Sequence, residues 1–61
     1  DDMPRKLYYY RMYLSLLTRN NDEAESLTKK LLSLYGSEEV SRNRIYWEWI
    51  EKTFGFSPKN S

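Results

Sequence analysis

The stripe Ala24, Leu27, Thr28, Leu31, Leu34 and Tyr35, followed at once by Gly36, constrains this chain more than any other feature. Steps of three and four put these six residues on one side of an α-helix; a strand, with its period of two, would scatter them over both faces. Glu25, Lys29 and Ser33 fall opposite, and Glu25 with Lys29 is a favourable i,i+4 pair. Gly36 stands where a left-handed C-cap belongs. Upstream, Asn20 with Glu23 three residues later forms a variant capping box. The spacing predicts a helix over 22–35 whose apolar stripe needs partners.

The rest of the chain supplies two. Pro4 suits a first helical position, Asp1 and Asp2 complement the dipole there, and the pattern predicts a helix over 4–19. Its apolar arc takes Leu7, Tyr10, Tyr13, Leu14 and Leu17, with Tyr9 and Leu16 at one edge. Arg11, Ser15, Thr18 and Arg19 form its polar wedge. After Gly36, Ser37 offers a capping hydroxyl and Glu38 and Glu39 fill a first turn, so a third helix is predicted over 37–54. Gly55 ends it, Phe56 is placed to fold back on Ile50, and Pro58 blocks continuation. Very short connections make neighbours antiparallel or sharply crossed. The expected fold is all-α: a three-helix bundle or a tri-helical orthogonal domain over 4–56, with 57–61 as a tail.

Composition excludes more than it assigns. The 61 residues contain no Cys and no His, which removes disulfides, thiolate chemistry, Cys/His zinc sites and histidine acid–base catalysis. A core this small leaves no room for a deep pocket. No nucleophile–base pair and no glycine-rich phosphate loop is present, so neither an enzyme nor a small-molecule substrate nor a cofactor is expected. Asp1, Asp2, Asp22 and Glu23 lack the spacing of a calcium loop, and no metal is expected. Ten basic against nine acidic residues give +1, or 10 − 7 = +3 without Asp1 and Asp2, a mildly basic balance. No apolar run approaches the ~20 residues of a membrane span, and no membrane partner is expected. The opening lacks a signal-peptide pattern and begins with Asp, which suggests an excised domain or processed chain.

The third helix carries the functional signal. Val40, Trp47, Ile50 and Phe54 share one face, while Ile45 and Trp49 lie nearly opposite. Two other helices of this size cannot cover both faces, so some of Ile45, Trp47 and Trp49 is expected at the surface, with Trp49 the exposed indole. Such a set reads as ordinary surface aromatics beside a core, as a docking patch for another protein or a second copy of the chain, or as a platform for stacking on nucleobases.

The segment Leu31-Leu32-Ser33-Leu34-Tyr35-Gly36, then Val40-Ser41-Arg42-Asn43-Arg44-Ile45, resembles the helix-turn-helix DNA-binding motif. That family closes one helix on a Gly corner and lays the next in the major groove. The resemblance implies that Ser41, Arg42, Asn43 and Arg44 face DNA, where Arg takes guanine and Asn adenine. Against it, Glu38 and Glu39 bring carboxylates to the end that approaches phosphates, and Arg42 and Arg44 lie about 160° apart on a helix. The leading expectation is a non-catalytic, helix-turn-helix-like DNA-binding module of a larger DNA-transacting protein, located intracellularly, in cytoplasm or nucleus. The alternative is a protein-interaction or dimerisation module using Ile45, Trp47 and Trp49.

Overall fold

The computed structural model describes residues 4–58; Asp1, Asp2 and the tail residues 59–61 lie outside them. Four helices form: α1 (Arg5–Leu17), α2 (Asn21–Tyr35), α3 (Glu38–Arg42) and α4 (Arg44–Phe54), and no strand occurs among the described residues. The helix expected over 37–54 is therefore two helices, broken at Asn43.

Local chemistry sets most boundaries. The Pro4 carbonyl accepts the Leu7 and Tyr8 amides, starting α1. At its end, the Asn20 amide donates to the Ser15 carbonyl and the Arg19 amide to the Leu16 carbonyl, with Arg19 at φ +64°. This is a Schellman closure with arginine in the position that glycine usually takes. The capping box at the start of α2 closes on both sides: the Glu23 amide donates to Asn20 Oδ1, and Asn20 Nδ2 donates to Glu23 Oε1 at 3.1 Å.

Two caps differ from expectation. Gly36 has φ +88° and ψ 163°, not the left-handed helical conformation; this region is open essentially to glycine alone. Ser37 itself has helical dihedrals, φ −68° and ψ −13°, where a capping residue is normally extended, and its side chain makes no capping hydrogen bond to α3. Gly55, at φ +73° and ψ 17°, is the left-handed cap expected of it.

The helices pack around two adjoining apolar clusters. One holds Tyr8, Met12, Leu27, Leu31 and Trp47; the other holds Leu16, Ala24 and Ile50. Phe56 folds back against both. Arg5 lies over the Tyr35 ring and Met12 meets Thr28, so α1 and α2 run antiparallel. From α4, Trp47 joins the Tyr8 and Met12 end of α1 and Ile50 the Leu16 end, so α4 runs in the sense of α1. Thr28, the polar member of α2's stripe, satisfies its hydroxyl on the Ala24 carbonyl at 2.8 Å.

The largest departure is the rotation of α1. Tyr8, Met12, Ser15 and Leu16 are its buried residues, whereas Leu7, Tyr10, Leu14 and Leu17, expected in the core, are exposed. Ser15, expected in the polar wedge, is buried and donates to the Arg11 carbonyl at 2.9 Å, which removes the cost of burying its hydroxyl. The sequence contains two apolar stripes on opposite sides of this helix. The buried one is selected by what meets it: Tyr9 reaches the α3–α4 junction, and Met12 meets Thr28.

Candidate functional site

The four residues matching the helix-turn-helix motif straddle the break between α3 and α4. Ser41, Arg42 and Arg44 are exposed. Arg42 pairs with Glu38 at 3.6 Å and Arg44 with Glu48 at 3.7 Å, both i,i+4 ion pairs in solvent. Such pairs are weak and give way readily to a competing anion. Asn43 is half-buried and its amide is directed inward. The stretch from Glu38 to Lys52 carries three basic and four acidic residues, with one of the acids, Glu39, buried, so its surface has no net positive charge to attract phosphates.

Asn43 belongs to a polar cluster around Glu39, which the sequence suggested only as a first-turn acid. Glu39 is 1% exposed. Its Oε2 accepts from the Tyr9 hydroxyl and from Asn43 Nδ2, each at 2.7 Å, and its Oε1 lies 3.4 Å from Arg5 Nη1. Asn43 Nδ2 also lies 3.2 Å from the Tyr9 hydroxyl oxygen and 3.3 Å from the Glu39 carbonyl. The α3–α4 junction is thereby tied to α1 through one carboxylate. The arrangement pins a corner, with only the Arg5 side chain reaching well into solvent.

The surrounding phenols respond to this burial. Desolvation, then the hydrogen bond to the Glu39 carboxylate, holds the Tyr9 hydroxyl far above the usual tyrosine range; the nearby Trp47 indole and Asn43 amide act weakly against it. The Trp47 N–H nevertheless completes no hydrogen bond of acceptable geometry. Burial also pushes Tyr46 up to about 12, and its hydroxyl donates to the Tyr9 carbonyl at 3.0 Å. The folded state therefore holds both protons more tightly than the unfolded chain, whose phenols ionise near 10. Their contribution to stability is complete below pH ~10; the Tyr46 part is lost as pH rises through about 12, and the Tyr9 part persists to higher pH. The melting temperature should fall over that interval, and Tyr46→Phe should flatten the fall. An unchanged slope in that variant would remove Tyr46 from the account.

The aromatic set of α4 separates cleanly. Trp47 is 3% exposed and belongs to the core, so it is not available to a partner; its ring stands edge-on to Tyr9 and Tyr46. Ile45 is 83% exposed and Trp49 45%. Trp49 stacks on Tyr13 of α1 at 5.8 Å and meets Phe54 edge-on at 6.1 Å. Ile45, Glu48, Trp49, Glu51 and Lys52 line one open groove along the outside of α4. Among the described residues, no group of three or more carboxylates, Cys or His is placed to hold a metal ion, and no helix is long and apolar enough to cross a membrane.

No known protein-family model matches the sequence, and no curated protein or solved structure is significantly similar to it. The surfaces themselves carry the functional argument.

Sequence reasoning missed two features. The burial of Glu39 had no local signal, because an acid at a helix start is ordinarily a solvated cap. The exposed stripe on α1 was visible as periodicity, but its spacing is equally that of a core face.

Proposed function

We propose that this chain is a non-catalytic helical protein-interaction module that binds another protein through the α4 surface around Ile45 and Trp49. In this reading α1 and α2 are two arms of a three-armed fold, and α3 with α4 is a bent third arm that presents the surface. The observation that carries it is the exposure of Ile45, a large aliphatic side chain with most of its surface in water, beside a Trp49 indole already braced on Tyr13 and Phe54. A braced indole loses little rotamer freedom on binding, and indoles in such positions are common interface anchors.

The nucleic-acid module is the second reading, supported by the exposure of Ser41, Arg42 and Arg44. The use of Asn43 inside the fold and the acidic neighbours of both arginines weigh against it. One paired experiment tests both. Immobilised chain is used to capture proteins, and the same chain is titrated with mixed-sequence duplex DNA at about 50 mM salt, where counterion release favours binding. A captured protein should be lost with Ile45→Lys or Trp49→Ala and kept with Arg42→Ala and Arg44→Ala. Each α4 truncation should cost about 2 kcal/mol of binding energy. Salt-sensitive DNA binding that the two arginine variants abolish, with no Trp49-dependent capture, would put the second reading first. Self-association lost on Trp49→Ala would make the partner a second copy.

A further inference from the structure

The α3–α4 junction is a helix interrupted at one residue. The run from Glu38 to Phe54 contains no glycine and no proline and opens on two acids, the composition of a single helix. Helical bonding reaches the break from both sides: the Asn43 amide donates to the Glu39 carbonyl and the Trp47 amide to the Asn43 carbonyl, each at 3.1 Å. Asn43, at φ −115° and ψ 41°, is the single residue between the two helices. What bends the chain there is not local. The Tyr9 hydroxyl and Asn43 Nδ2 both donate to Glu39 Oε2, and Arg5 Nη1 lies 3.4 Å from Oε1, so α1 holds α3 in the bent position. The bend is not needed to seat α4. At 100° per residue Glu39, Val40, Asn43, Trp47 and Ile50 would share about 100° of arc on one continuous helix, so straightening at Asn43 keeps Trp47 and Ile50 on the core side and moves α3 alone.

We propose that α3 is a lid, hinged at Asn43 and latched through Glu39, which opens when residues 38–54 close into one helix. The motion is a change in one residue's dihedrals, of the kind hinge positions absorb. In the open form the Arg44 and Tyr46 amides donate to the Val40 and Arg42 carbonyls, bonds that the break interrupts, and the Glu39 carboxylate returns to water. In the closed form Glu39 keeps its contacts with Tyr9, Arg5 and Asn43, and Val40 packs on the cluster that holds Tyr8 and Trp47. Neither form has a large apolar advantage: Val40 is the one apolar residue of α3 and is only half-buried. The desolvation of the carboxylate offsets much of what its hydrogen bonds supply. Two packings of one segment separated by a small gap make a bistable element. Opening uncovers the Tyr8 and Trp47 end of the core and leaves Ile45 and Trp49 on α4 in place, so the lid is independent of which partner α4 takes. A molecule that contacts the uncovered rings shifts the balance toward the open form.

The test uses the intact chain, isotope-labelled for NMR. In the parent, relaxation dispersion should report microsecond-to-millisecond exchange at the backbone amides from Val40 to Trp47 and not in the middle of α2. Asn43→Ala removes the side-chain bonds of the latch and supplies a strong helix former. Its carbon shifts at residue 43 should become helical, and the Arg44 and Tyr46 amides should gain at least about tenfold protection from hydrogen exchange. In a Trp49→Phe background, Asn43→Ala should also raise iodide quenching of Trp47 severalfold while the helical circular dichroism is kept. Tyr9→Phe removes one hydroxyl of the latch and keeps the ring; it is the second variant should Asn43→Ala lose structure, and it should enlarge the exchange at the junction with the fold intact. A parent junction without exchange, or exchange of equal size in α2, overturns the proposal. So does an Asn43→Ala chain that stays bent with Trp47 shielded. Loss of helix along the whole chain in both variants overturns it as well, because the cluster is then a pin for the entire fold and not a latch.

Discussion

Glu39→Ala is expected to destabilise the fold by about 2–4 kcal/mol, through the cavity it leaves and the stranding of two polar groups. The side chain is fully enclosed, and its removal leaves the Tyr9 hydroxyl and the Asn43 amide with only each other and the Glu39 carbonyl. The ion pair is the smaller part of the loss, because the Arg5 side chain is 47% exposed and stays hydrated. A chain of 61 residues has roughly 3–9 kcal/mol of total stability, so this variant should lose a large share of it and melt well below the parent. Glu39→Gln keeps the volume and one acceptor and should lose less. Urea titration followed by circular dichroism measures both; a Glu39→Ala midpoint equal to that of the parent would show that the cluster does not hold the junction.

Trp47→Ala should cost about 3–5 kcal/mol, and Trp49→Ala about 1 kcal/mol. The two indoles are two residues apart on one helix but occupy different environments. Trp47 fills the space between Tyr8, Met12, Leu27 and Leu31, where α1 and α2 meet α4. Trp49 adds a stacked contact at the surface. Trp47→Phe should be far milder than Trp47→Ala, since it keeps an aromatic ring in the core and removes a buried N–H that has no acceptor. A melting temperature for Trp49→Ala below that for Trp47→Ala would mean that the faces of α4 are assigned the wrong way round. Iodide quenching of the single-Trp proteins gives the same comparison without unfolding: Trp49 should quench and Trp47 should not.

The contrast between those indoles was legible before the fold. Val40, Trp47, Ile50 and Phe54 make a longer stripe than Ile45 and Trp49, and a longer stripe has more apolar area to remove from water. The break at Asn43 was not legible. Neither glycine nor proline marks it, and the run from Glu38 to Phe54 has ordinary helical content. It arises where Asn43, at φ −115° and ψ 41°, leaves the helix with its amide bound to Glu39 and Tyr9, a partner 34 residues away. The candidate DNA-facing set was placed on one continuous helix, and this break divides it.

What the sequence by itself determined is local: the two ends of α2, the end of α4, and the buried side of α2 from Ala24 to Leu31, while Leu34 and Tyr35 of the same stripe are exposed. The Asn20 box, the Gly36 corner and the Gly55 cap each act within a few residues, so their effects are written next to them in the chain. Tertiary structure alone decided the rotation of α1 and the burial of Glu39. Both Tyr8–Met12–Leu16 and Leu7–Tyr10–Leu14–Leu17 satisfy helical periodicity, and rotation about a helix axis changes no local hydrogen bond. The choice between them is made by contacts at long sequence separation: Tyr9 to Glu39, Met12 to Thr28, and the indole of Trp47. Once Tyr9, Asn43 and Arg5 converge on it, a carboxylate that would otherwise remain in water is held in the interior, because each hydrogen bond offsets part of its desolvation.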